Sequence, residues 1–294
     1  MRHGPGGREI EVAPDERSAW VNVAERLRFA EGRWRRVPGP VVRISLDGGE
    51  RLDAFEPGVP VAFAARRDGW LALRDTEYRA ENPETVLIGP GHGEAARVLV
   101  GSYTTTYHRF RVRRSPDLLF LCGDVDPPIR KGETEDPAHR RWVVSMEVAD
   151  GTVRPLFPIS LGLVPLPEVP GRRASVTGGP AVSLPGGALV HGGHFVLNWG
   201  AVENGAFVAR REPDGTVVWL FRTGSSITGL DGDEERVFAA FNSGEVVALD
   251  AATGVELGRR HLADTPLSLA LAGPGRLLIG TAEGRILDCA LMKR

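Results

Sequence analysis

A Gly-bearing turn between two extended runs recurs along this chain, and that recurrence limits the fold more than any other feature. It occurs at Asp47-Gly48-Gly49, Pro90-Gly91-His92-Gly93, Asp150-Gly151, Asp214-Gly215 and Thr253-Gly254. By subtraction, Gly49, Gly93, Gly151, Gly215 and Gly254 stand 44, 58, 64 and 39 residues apart. The short intervals match a bare four-stranded antiparallel blade, for which about 40 residues is typical. The clearest copy is Arg236 to Arg260, RVFAAFNSGEVVALDAATGVELGRR. It reads as two short strands, a turn at Asn242-Ser243-Gly244, a third strand over Glu245 to Asp250, a turn at Ala252-Thr253-Gly254 and a fourth strand. Glycine serves such turns because it takes a positive φ without steric cost.

The segments after each marker also agree: Glu50 to Phe55, Ala95 to Val100, Thr152 to Phe157, Thr216 to Phe221 and Val255 to Arg260. The last unit, Leu267 to Leu291, holds three strands. Its fourth is expected from Arg8 to Val12, which would leave no open edge. The expectation is one all-β domain over 1–294, a six-bladed β-propeller of four-stranded antiparallel blades closed by the N- and C-terminal strands. Five or seven blades are the alternatives, because the first unit, Trp20 to Phe55, is the least regular. Its segment Ala19 to Leu27 also reads as a short helix. Residues 1–7 are expected to be flexible. Two insertions are expected as loops: 123–141, between the second and third strands of the third blade, and 159–180, joining the third and fourth blades. Loops this long inside compact domains are often functional.

Composition fits a soluble globular chain: 294 residues, 42% hydrophobic and 25% charged. A net charge of −2 gives the chain as a whole no cationic field for nucleic acid or anionic membrane. The two cysteines, Cys122 and Cys289, form no disulfide framework, and the N-terminus lacks a signal peptide's apolar run. A cytoplasmic location is expected. Abundant Arg, Ala and Gly beside only two Lys is the composition of high-GC bacterial genomes.

Ala248-Leu249-Asp250-Ala251-Ala252-Thr253-Gly254-Val255-Glu256-Leu257 resembles the repeat of quinoprotein-type (PQQ-like) propellers, Ala-x-Asp-x-x-Thr-Gly-x-x-x-Trp. A weaker copy has Ala209, Asp214-Gly215 and Trp219 at the family's Trp position. The fifth blade has Gly258 there and the third has Pro155, so tryptophan docking between blades is expected at few junctions. The resemblance covers Ala206 to Leu291 and implies the propeller fold. It does not carry the quinone, whose holders also need a Ca²⁺ site, and no cofactor is expected.

In propellers, ligands sit where the loops entering first strands and joining second to third strands line the axial mouth. That rule selects Arg74 and Asp75, Tyr103 to His108 (with Tyr103, Tyr107 and His108), Cys122 to Asp126 (with Asp124 and Asp126), Asn198 and Trp199, Asn242 and Ser243, and Thr281 to Glu283, and a one-strand slip would void it. Tyr103, Tyr107 and His108 belong to a hydroxyl- and aromatic-rich stretch suited to a polar ligand, or to an exposed turn. Asp124 and Asp126 share a face of an extended segment and suit cation binding or acid/base work, or solvation beside Pro127-Pro128. Trp199 suits stacking or interface anchoring, or packing between blades. His191-Gly192-Gly193-His194 reads as a hairpin turn flanked by surface histidines, with no metal expected. The cysteines read as small apolar residues. Arg33-Trp34-Arg35-Arg36 and Arg109 to Arg114 read as arginine on the wet face of strands; nucleic acid is not the expected partner, nor is a membrane.

Two functions follow. The first is a non-enzymatic binding scaffold presenting rim loops, with Trp199, Arg74 and Asp126, to a protein partner. The alternative is a small-molecule enzyme (lyase, isomerase or hydrolase) with Tyr103, Tyr107, His108, Asp124, Asn198 and Asn242 at the axial mouth.

Overall fold

The computed structural model describes residues 6–13, 15–23, 26–30, 33–58, 61–65, 70–75, 84–88, 97–102, 110–113, 118–124, 141–146, 153–163, 175–197, 200–273 and 275–291. The first sheet contains β1 (Gly6–Val12), β2 (Ser18–Val23), β5 (Val41–Ser45) and β6 (Arg51–Phe55), in that order. Between β2 and β5 the chain forms a separate two-stranded ribbon, β3 (Arg26–Ala30) with β4 (Arg33–Val37). The second sheet holds β7 (Val61–Ala65), β8 (Leu71–Asp75), β9 (Glu84–Ile88) and β10 (Arg97–Ser102).

The third group is β11 (Phe110–Arg113), β12 (Leu118–Asp124), β13 (Arg141–Met146) and β14 (Val153–Pro158). The fourth is β15 (Ser175–Ser183), β16 (Leu189–Leu197), β17 (Gly200–Arg211) and β18 (Val217–Thr223). These two groups join edge to edge through parallel pairing of β11 with β15. The fifth sheet is β19 (Ile227–Gly232), β20 (Arg236–Phe241), β21 (Glu245–Asp250) and β22 (Glu256–His261). The last has three strands, β23 (Pro266–Leu271), β24 (Arg276–Thr281) and β25 (Ile286–Ala290). Among the described residues no helix is long and apolar enough to cross a membrane.

All five glycine markers fall between the third and fourth strands of their groups. The stretch Arg236 to Arg260 holds three strands rather than four: its first two short runs are the single strand β20, and the fourth member of the sheet, β19, precedes them. Ala19 to Leu27 is not helical. Its described residues lie in β2 and the start of β3, as suits a segment with Trp and Val. Of the two expected insertions, residues 125–140, between β12 and β13, and 164–174 lie outside the described residues, while the final residues of 159–180 belong to β15. Strand β1 begins at Gly6, inside the segment expected to be flexible.

The N-terminal strand does not enter the last sheet. It pairs antiparallel with β2, Val12 opposite Ala19 and Ile10 opposite Val21, and the last sheet stays three-stranded. β1 joins the chain's end by packing instead: buried Ile10 lies in one apolar cluster with Ala270, Ala272 and Leu278. The first strands of the sheets neighbour one another in a cycle: β1 beside β7, then β11, β15, β19 and β23, with β23 beside β1. Arg276 of β24 also donates to the Leu46 carbonyl in the β5–β6 turn (2.6 Å).

Side chains lock sheet to sheet elsewhere. Trp219 of β18 donates from Nε1 to the Ala251 carbonyl (3.0 Å) and lays its ring on the β21–β22 turn. A Cβ at Gly254 would stand 2.6 Å from that ring, and one at Gly215 2.5 Å from Phe157 of β14. Both glycines also hold positive φ, 71° and 90°. Buried Asp231 of β19 accepts from the Leu271 backbone of β23 (2.7 Å).

Ile10→Ala is expected to lower unfolding stability by about 2–4 kcal/mol, because it opens a cavity between first and last sheets. A urea midpoint unchanged from the parent protein would show that this contact does not hold them.

Candidate functional site

Of the residues selected from sequence, Arg74, Asp75, Cys122 to Asp124, Asn242, Ser243 and Thr281 to Glu283 lie in described segments. Arg74 is in β8, opposite Ala62 and Thr85. Asp124 ends β12, opposite Arg141. Asn242 directly follows β20, is exposed, and donates its backbone N–H to the Ser226 carbonyl (3.0 Å). Arg74, Asp124 and Asn242 stand at or just after the C-terminal end of a second strand, so they share an end of the fold across three separate sheets. Tyr103, Tyr107, His108, Asp126, Asn198 and Trp199 lie outside the described residues.

His191-Gly192-Gly193-His194 is not a turn, and His191 is not a surface histidine. The four residues sit inside the continuous strand β16, which pairs on one side with β15 and on the other with β17. Glycine is required there by close packing: a Cβ at Gly193 would stand 2.7 Å from the Phe207 ring and 2.6 Å from the Thr177 carbonyl. His191 is fully buried and meets that same Phe207 ring edge-on, centroids 5.7 Å apart.

The fully buried Arg211, at the end of β17, organises this region. Its Nε donates to His191 Nε2 (2.9 Å). One terminal nitrogen donates to the carbonyls of Leu161 (2.5 Å) and Gly215 (2.7 Å), and the other to that of Ile159 (2.6 Å). The guanidinium also stands 5.6 Å from the centre of the Phe157 ring. Thus the cation is held by neutral acceptors and a π face, with no carboxylate paired to it among the described residues. Burial pushes its pKa down to about 10.

The arrangement assigns the histidine tautomer. Arginine Nε can only donate, so His191 Nε2 accepts, and the proton sits on Nδ1, which donates to the Gly192 carbonyl (2.9 Å). Burial, then the Arg211 charge, push the His191 pKa down to about 3. Nothing in the local sequence Val208-Ala209-Arg210-Arg211-Glu212 marks one arginine as interior. The buried guanidinium depends on three carbonyls converging from the β14 exit turn and the β17–β18 turn.

What Arg211 fixes is the path of residues 159–163 over β18. Four large apolar side chains of this part of the chain are exposed: Leu156 on β14 (44%), Leu161 (39%), Val218 on β18 (44%) and Val255 before β22 (60%). The Gly162 α-carbon region touches Val217, placing this turn directly beside β18. Cys289 is half-buried, and burial followed by the Asp288 charge raises its pKa, which disfavours the nucleophilic thiolate.

No protein-family model matches the chain, and no curated protein sequence matches it. Solved structures do. The chain is similar to the WD40 repeats of RRP9 (TM-score 0.52, 13% identity), covering 96% of this chain and 88% of that one. It is similar to U3-55K (TM-score 0.53, 13% identity), covering 96% and 90%. Chaetomium thermophilum Raptor matches with TM-score 0.53 and 9% identity over 96% of this chain and 23% of its own. The fold is therefore a β-propeller of the kind seen in WD40-repeat structures; the quinoprotein-type resemblance gains no family match.

Two outcomes are expected at the buried pair. Arg211→Met orphans three carbonyls and costs about 3 kcal/mol, read from denaturant unfolding. For His191 the folded pKa lies below the unfolded one, so its contribution is intact above about 6.5 and falls as pH drops toward about 3. Stability then changes by up to ~1.4 kcal/mol per pH unit in that window. His191→Gln is expected to flatten this part of the profile, and superimposable wild-type and variant profiles would refute the assignment.

Proposed function

We propose that this chain is a single six-bladed propeller domain acting as a non-enzymatic scaffold for a protein partner. The cycle of six neighbouring first strands, β1 through β23, supports a count of six. The observation that carries the partner is the exposure of four large apolar side chains on the outer strands and turns of three consecutive sheets, Leu156, Leu161, Val218 and Val255, which would together form one surface. Scattered exposed apolar residues are ordinary on soluble proteins, whereas a contiguous apolar run marks an interaction surface. Leu161 belongs to the 159–180 link, so this surface includes one of the two segments expected from the sequence to meet a partner. Arg211 holds the link in place from beneath, which keeps its ordering cost out of the binding event. The partner's matching surface is apolar and flat enough to lie along strand edges, with its polar rim facing Glu212 and Asp214.

The test is V218D/V255D. Both side chains are exposed, so the double variant is expected to keep its thermal midpoint. Cross-linking affinity purification from the native cells is expected to recover a stoichiometric partner with the parent protein and lose it with the variant. Equal recovery with both, or no stoichiometric partner with either, would overturn the reading.

A further inference from the structure

We infer that the last sheet takes an extended polypeptide segment of a partner as its fourth strand, held along β25 by backbone hydrogen bonds. The other five groups each have four strands, while β25 has β24 on one side and no described strand on the other. The ladder shows which backbone groups face outward. Thr281 donates its backbone N–H to the Arg285 carbonyl (2.9 Å), and Leu291 donates to the Gly275 carbonyl (2.8 Å). Between those bonds the register runs without a bulge, from Ile286 opposite Gly280 to Ala290 opposite Arg276. Antiparallel strands alternate hydrogen-bonded and non-hydrogen-bonded pairs. Arg285, Leu287, Cys289 and Leu291 therefore bond to β24, and Ile286, Asp288 and Ala290 turn their N–H and C=O groups to the open side.

The fifth sheet shows what a fourth strand covers. The turns Asn242-Ser243-Gly244 and Ala282-Glu283-Gly284 both end in a glycine with positive φ, 93° and 76°. Gly244 and Gly284 are 40 residues apart by subtraction, so Val247 and Leu249 of β21 correspond to Leu287 and Cys289 of β25. With β22 beside them, Val247 and Leu249 are fully buried; Leu287 and Cys289 are only partly buried. Both pack, with Leu291, against the apolar cluster of Phe238, Leu269 and Leu277. The β25 edge also lacks the usual protection. β22, an outer strand, exposes Glu256, Arg259, Arg260 and His261. β25 has one charged side chain, Asp288, and Arg276 already bonds it twice (2.9 and 2.6 Å). Edge strands are commonly blunted by charge or bulges, so a regular, mainly apolar edge is a template for strand addition.

The side chains of β25 set the chemistry of the occupant. Residues directly opposite across a ladder stand close on one face. Those opposite Leu287 and Cys289 are then apolar, extending the cluster, and the one between them, opposite Asp288, is basic. A second copy of this chain fits poorly. Two-fold antiparallel pairing over the whole of β25 would set two copies of Asp288 opposite each other, and like charges so placed destabilise a sheet. The inference does not rest on the exposed side chains of the third to fifth sheets.

The test is fluorescence anisotropy and amide hydrogen exchange of the whole chain with the labelled synthetic peptide Ser-Thr-Val-Lys-Val-Thr-Ser. Saturable binding is expected, with slower exchange at the amides of Ile286, Asp288 and Ala290 in the complex. Glutamate in place of the peptide's lysine is expected to weaken binding about tenfold. Ala290→Pro removes one outward N–H and no bond to β24, so it is expected to weaken binding at an unchanged thermal midpoint. The inference is overturned if the peptide shows no saturable binding up to about 1 mM, or binds without slowing those three amides. It is equally overturned if the glutamate peptide or Ala290→Pro binds as well as the parent pair. Slow exchange at the three amides in the free protein would also overturn it, since a further segment of this chain or a second copy would then already cover the edge.

Discussion

The structure depends on apolar contact between the first strands of successive sheets. Each sheet alone is a small antiparallel unit with two faces to cover, and a sheet of three or four strands needs packing to persist. Covering comes from the neighbours. Val182, Val190, Val208 and Trp219 of the fourth group share one cluster with Leu230, Val237 and Leu249 of the fifth. Phe238 and Val246 of the fifth share another with Leu269, Leu277 and Ile279 of the last. The contact that differs in kind is the one between β1 and β23, since it joins segments at opposite ends of the chain. It rests on Ile10 among Ala270, Ala272 and Leu278, with Arg276 reaching the Leu46 carbonyl beside it.

Within that frame, the junction between the third and fourth groups stands apart. Its two first strands pair in parallel, and a buried arginine ties the exit of one group to the interior of the other. A guanidinium without a carboxylate is an expensive thing to bury. It is tolerated because its partners among the described residues are carbonyls, a neutral imidazole and the Phe157 ring, so the positive charge is solvated by protein dipoles. The consequence reaches the surface: the turn that Arg211 holds carries exposed Leu161, and its Gly162 lies against Val217 of β18. Interior electrostatics and the proposed partner surface are therefore parts of one construction.

The strand scaffold was readable because its signals are local. Five glycine turns marked third-to-fourth connections at the right places, since a positive φ is a property of one residue and its immediate neighbours. Two expectations failed where the answer lay far off in sequence. Arg8 to Val12 carried a strand pattern but no label for its partner, and β2 took it. Gly192-Gly193 looked like a turn because glycine usually marks one, while here it makes room for Phe207. Arg211 was not singled out, because alternation cannot reveal carbonyls converging from residues 159, 161 and 215. Of the residues selected for a ligand, Arg74, Asp124 and Asn242 lie at or just after the ends of second strands. The exposed apolar side chains were missed, because exposure in a strand is decided by the neighbouring sheet.

By itself the amino-acid sequence determined an all-β chain of repeated hairpins, the position of each tight turn, the three-strand content of the last unit and the arginine-rich makeup of residues 26–36. Those are matters of φ, side-chain alternation and composition, each settled within a few residues. Only the tertiary structure decided which strand lies beside which end, and that Arg211 and His191 are interior partners. Pairing, burial and register are relations between separated segments, and their energies exist only once the segments meet.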